Sequence, residues 1–188
     1  MGKCCLMALM SLAVAGCMAP APKPPSNWTI ALDPAPVFAA AVPRFGPVRL
    51  AQVVVRAPYD GTRLCVLRAD GSMAFDPCNV FAAQPASLLR GAAADAMTAS
   101  GLFARVFHGS SSARTSLLAE VVVGELALDC RQEGERKAVV SLSLLLLDVR
   151  EAKACVAGRG EAPVKDGNFS AAFSMAFTSA IASALSGL

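Results

Sequence analysis

Two periodicities alternate along the chain. Val48-Arg49-Leu50-Ala51-Gln52-Val53-Val54-Val55 is β-branched and stops at turn residues Ala57-Pro58-Tyr59-Asp60-Gly61, so it spells a strand. Residues 63–68 alternate and predict a second strand. Asp70-Gly71 is a two-residue hairpin turn, and residues 72–76 make the return. A turn centred there sets Cys65 opposite Asp76, with Cys78 on the diagonal. From Pro85 the period becomes helical, through Leu88, Leu89, Ala92, Ala93, Ala96 and Met97. Pro85 suits the first helical position and Gly101 the residue past the end. Residues 102–108 form a short strand and 109–112 a loop. Two long strands, 116–128 and 138–150, flank a polar turn at 129–137. The run 142–148 is apolar on both faces, as in a central strand. Residues 151–153 then turn the chain into an edge strand at 154–161. Finally Phe169, Phe173, Phe177, Ile181 and Leu185 recur at four-residue steps, which gives a helix with a broad apolar face.

Those elements fix a fold class. The helices need an apolar surface to cover, and an antiparallel sheet offers one. The expectation is an α+β two-layer sandwich, a mostly antiparallel sheet with two helices packed on one face. No internal repeat is visible. A chain of 188 residues is one domain with appendages. Its 55% hydrophobic content is enough for a core. A formal net charge of +3 is too small for a nucleic-acid footprint. One His, one Tyr and one Trp leave little acid–base chemistry near neutral pH, so the chain reads as a non-enzyme. Apolar runs fall short of the ~18 residues of an ordinary membrane-spanning helix.

The N-terminus reads as an address. Lys3 begins a positive segment, Cys4–Ala13 is a short apolar stretch, and Val14-Ala15-Gly16 supplies small residues for cleavage. Cys17 follows, and Val-Ala-Gly-Cys resembles the lipobox of bacterial lipoproteins. That resemblance implies diacylation of the Cys17 thiol, cleavage before it and acylation of the new amino group. Met18, not Asp, at the next position implies the inner leaflet of the outer membrane, facing the periplasm. Residues 18–26 are a Pro-rich tether, which at about 3.1 Å per residue lifts a domain roughly 25–30 Å off the lipid. The expected organisation is a signal peptide (1–16), a lipidated Cys and tether (17–27), and one folded domain (28–188). The Asn27-Trp28-Thr29 sequon is read as incidental.

Four cysteines remain after the signal and the lipid site: Cys65, Cys78, Cys130 and Cys155. An oxidising compartment allows three pairings. The hairpin diagonal makes Cys65–Cys78 a candidate disulfide, whereas Cys130 and Cys155 fall at opposite ends of a strand. With one His and no Cys-x-x-Cys, no metal site is expected. His108 reads as a partly exposed strand-end residue, not a general base. Ser110, Ser111 and Ser112 lack a Gly-x-Ser-x-Gly context. Gly158-Arg159-Gly160 is not a phosphate loop, since it lacks the Lys and the strand–loop–helix setting. The Phe stripe is read as core, with a lipid-facing surface as the alternative.

The order of phrases resembles the ABC-type transport auxiliary lipoproteins, a family that includes paraquat-inducible protein C and related partners of mammalian-cell-entry (MCE) proteins. The matching features are Val48–Val55 with Pro58-Tyr59-Asp60-Gly61, then Asn79-Val80-Phe81-Ala82 with Pro85, Leu88-Leu89, and Ser100-Gly101-Leu102-Phe103 with Val106. An early aromatic, Trp28, and a Phe- and Ala-rich last helix complete the pattern. Phe81-Ala82 stands where the family often has Trp-Ala, and four mature cysteines depart from its pattern. The resemblance implies a non-catalytic auxiliary of an intermembrane lipid transport system, docking to an MCE-domain protein with its permease and ATPase. It implies no cofactor beyond the covalent lipid on Cys17, and it is compatible with a homo-oligomer. Tyr59, Asp60 and Gly61 are the candidate partner-binding residues, an aromatic anchor in a turn. An alternative is a lipoprotein accessory to another envelope assembly, inserting outer-membrane protein or lipopolysaccharide.

Overall fold

The computed structural model describes residues 26–28, 42–108, 111, 113–148 and 151–188. Cys17, the signal segment and most of the tether lie outside the described residues. The architecture is α+β: one mixed sheet, with two helices on one of its faces.

β1 (Ser26–Trp28), β2 (Val48–Val55), β3 (Arg63–Arg68) and β4 (Met73–Phe81) precede α1 (Pro85–Ala99). β5 (Val106–Phe107), β6 (Leu117–Cys130), β7 (Lys137–Asp148) and β8 (Glu151–Pro163) follow, and α2 (Phe169–Ser186) closes the chain. The long ladders β6–β7 and β7–β8 are antiparallel, as expected. The other edge of β6 differs from the expectation. β2 and β3 lie along it one after the other, and both run parallel to β6. They do not pair with each other, so the turn at 57–61 is an excursion from that edge and not a hairpin. β1 adds in parallel to β4, so the sheet begins at Ser26, two residues before the expected domain boundary at 28.

Two bulges explain the burial pattern. In β2 the buried positions are Val48 and Leu50, then Val53 and Val55. The shift in register between Leu50 and Gln52 turns both halves of the strand inward. In β6 the same slip occurs between Val123 and Glu125, at Gly124. The helix-facing rows of β6 and β7 are fully apolar: Ala119, Val121 and Val123 beside Leu142, Leu144 and Leu146.

α2 lies on β8 and β7, and α1 lies on β2 and against α2. Asn168 caps α2, its side chain accepting from the N–H of Ala171 at 3.0 Å. Phe173, Phe177, Ile181 and Leu185 are at most 1% exposed, so the Phe stripe is core. Phe169, at the helix start, is partly buried against that core. By length and a mean hydropathy of 1.4, α2 could cross a membrane, but its apolar face is the one buried on the sheet.

Candidate functional site

Of the features singled out in the sequence, the loop around Tyr59 packs toward the face of the sheet that the helices leave uncovered. The loop 56–62 begins with Tyr59 N–H donating to the Arg56 carbonyl at 2.9 Å, and the Ala57–Pro58 bond is cis. Tyr59 is partly buried against the core, Asp60 is exposed and Gly61 half-buried. The Tyr59 hydroxyl is held above its ordinary range by burial first, then by Glu125 and Cys65. Both are on the helix-free face: Cys65 pairs with Ala127, and Glu125 bonds to Arg159 across β7. Tyr59 therefore folds back onto the sheet, leaving Asp60 as the exposed side chain of the trio.

Beside the loop is a groove of about 510 Å³, open to solvent, lined by residues that include Arg56, Val122, Ser141, Ser143 and Arg159 on the sheet side and reaching Ser183 of α2. Arg159 is the hub of its polar network. Its Nη1 is 2.6 Å from Glu125 Oε2, and its Nε is 3.1 Å from Glu161 Oε1. These pairs are solvent-exposed and contribute little stability. They fix charged groups along the groove wall. Sequence reading missed this network, because its members are joined only by register: Glu125 faces Ser141, and Ser141 faces Arg159.

The cysteines separate. Cys65 pairs with Phe75, one residue short of the expected Asp76. The register then jumps, so that Arg63 pairs with Val80. The extra residues of β4 loop out around Pro77, which has no N–H for a ladder bond. Asp76 fastens that loop by accepting from the N–H groups of Cys78 and Asn79 at 2.7 and 2.8 Å. Cys78 is exposed and Cys65 buried, and both thiols are free, so the candidate bridge is not formed in this structure. Burial pushes the Cys65 and Cys130 thiols up. Cys155 pairs with Leu145, whereas Cys130 lies just past the Asp129–Lys137 pair. The strand between those registers spans roughly 26 Å at about 3.3 Å per residue, beyond any bridge.

His108 is exposed at the end of β5, its carbonyl accepting from Ser111 N–H at 2.9 Å. Ser110 and Ser112 lie outside the described residues. Among the described residues no three His, Cys, Asp or Glu side chains gather as a metal site. Gly158 and Gly160 have a packing role. A Cβ on Gly158 would collide with the Ala180 carbonyl oxygen and come within 2.9 Å of Ala184 N. One on Gly160 would collide with the Ala176 carbonyl oxygen. The Gly-x-Gly of β8 is thus the seat for the Ala176, Ala180 and Ala184 ridge of α2.

No family model matches the chain, and no curated protein matches it. Solved structures do resemble it. Protein XCC0632 from Xanthomonas campestris, of family DUF330, is 18% identical, with a TM-score of 0.64 over 84% of this chain and 88% of that one. An uncharacterized protein is 16% identical, with a TM-score of 0.56 over 85% and 90% of the two chains. A PelC dodecamer from Paraburkholderia phytofirmans is 19% identical, with a TM-score of 0.46 over 80% and 92%. The first two likenesses show a shared fold.

Proposed function

We propose that this chain is a lipoprotein anchored in the outer membrane through Cys17, a non-catalytic auxiliary of an ABC-type, MCE-linked lipid transport system. It serves as a docking partner for the periplasmic MCE-domain protein. The observation that carries the anchor is Val14-Ala15-Gly16-Cys17 followed by a Pro-rich tether. The order of phrases from Val48 to Val106 supports the transport system. Docking is favoured over lipid carriage because Phe173, Phe177, Ile181 and Leu185 fill the space between helix and sheet. The surface offered to a partner is the helix-free face, with Asp60, the groove and the Arg159 network.

The test is a crosslinking pull-down from intact envelopes, comparing the full chain with its Cys17→Ala variant. The expected result is recovery of an MCE-domain protein by the lipidated chain only. Recovery of outer-membrane assembly components without any MCE protein would overturn the transport reading.

A further inference from the structure

One end of the sheet is cationic in a way that the groove is not. Residues 34–59 contain Arg44, Arg49 and Arg56 and neither Asp nor Glu. Residues 96–119 contain Arg105, Arg114 and His108, again without a carboxylate. Backbone pairing brings the two segments together where β2 and β6 begin. The N–H groups of Arg44 and Phe45 donate to the Leu102 carbonyl at 2.9 Å, and Val48 N–H donates to the Arg105 carbonyl at 2.9 Å. Arg49 is opposite Phe107, and its guanidinium donates to the carbonyl of Ala113, beside Arg114. Arg44, Arg105 and Arg114 are exposed. None of these four arginines is in an ion pair among the described residues. The carboxylates nearest in register are Glu120, opposite Gln52; Asp148, opposite Leu117 and engaged by Lys153 at 3.5 Å; and Glu151, opposite Asp148.

Two further observations point to an anionic ligand with an apolar side. The Nε of Arg49 is buried without a hydrogen-bond partner among the described residues, a costly state for a charged donor. The exposed arginines also stand beside apolar groups. The Arg44 and Arg105 guanidiniums lie 6.0 Å from the ring centroids of Phe45 and Phe107, and Val42 is 72% exposed. Planar guanidiniums match phosphate oxygens bidentately. Arginines beside half-buried aromatic rings and one exposed valine suit the headgroup layer of a bilayer better than a nucleic acid, which needs a longer basic footprint. We propose that this end binds the phosphate-bearing headgroups of an anionic phospholipid surface, through Arg44, Arg49, Arg105 and Arg114. The site is separate from the acyl anchor at Cys17 and does not rest on the docking role.

The test is vesicle flotation of the full chain carrying Cys17→Ser, which removes the acylation site. Phosphatidylcholine vesicles are compared with vesicles holding roughly one-third phosphatidylglycerol, since each arginine near an anionic surface is worth about a fivefold gain in partitioning. The expected result is a preference for the anionic vesicles that weakens with salt. R44Q/R105Q should lower that preference by roughly 30-fold with an unchanged thermal melt, and R131Q should leave it intact. R114Q alone provides a second variant should the double one fail to fold. An anionic preference that survives these substitutions would overturn the proposal. So would displacement of the chain by inorganic phosphate with no preference between the vesicles, which would mark a free-phosphate site instead.

Discussion

Cys65 and Cys78 belong to the same pair of strands yet have opposite surroundings. Cys65 is 1% exposed beneath the 56–62 loop, whereas Cys78 is exposed on the loop that Asp76 fastens. Reaching Cys78 requires no unfolding; reaching Cys65 requires the sheet to open. In the reduced, folded chain a maleimide should label Cys78 and Cys155 rapidly. Cys65 should react at least ~10³-fold more slowly, if its exposure needs global unfolding of ordinary cost. Mass mapping of the labelled peptides over time checks this. Equal rates at Cys65 and Cys78 would contradict the strand register. A Cys65–Cys78 bridge in non-reduced protein would require the Asp76 turn to come undone.

The contact between α2 and β8 depends on residues with almost no side chain. Gly158 and Gly160 let the backbone of α2 approach so closely that a single methyl at either place meets main-chain atoms. Main chain yields less readily than the end of a flexible side chain, so the helix must lift. Gly158→Ala and Gly160→Ala should each cost about 1–3 kcal/mol or more, as other overpacking substitutions do. For a chain of this size that is a fall in Tm of roughly 2–4 °C per kcal/mol. Gly46→Ala, where a Cβ meets nothing within 4 Å, is the matched control in a thermal melt. The packing role of these glycines was not legible in the sequence, where Gly158-Arg159-Gly160 stood out only as a phosphate-loop lookalike. What was legible is local. β2, β3 and the start of α1 at Pro85 fall where their patterns predict, because alternation and capping act between near neighbours. The parallel placement of β2 and β3 along β6 was not, since direction within a sheet is decided by partners far away in sequence. The Cys65 register missed by one residue because the turn is one residue longer than a two-residue Asp70-Gly71 turn: Leu67 already pairs with Met73, with Gly71 at φ 79°, and the bulge at Pro77 lies beyond Cys65.

At the scale of the whole molecule, the fold separates what holds the protein from what it presents. The helix face is closed, with α1 and α2 covering the apolar rows of the sheet. The helix-free face, its groove and the cationic end are left for other surfaces. Under the proposed anchoring, any such contact would gain from confinement near a membrane through Cys17 and the tether ahead of Ser26. One acyl chain binds only marginally, and several chains on one cysteine hold firmly. Cys17→Ala should therefore abolish incorporation of labelled palmitate and move the chain from the membrane fraction to the soluble fraction, with the domain's thermal melt unchanged. A variant that kept the label would place the lipid elsewhere. A variant that lost the label yet stayed with membranes in low salt, and left them in high salt, would show the arginines acting without the anchor. The two attachments differ physically, one scaling with buried CH₂ groups and the other with ionic strength, so one fractionation across a salt series resolves both.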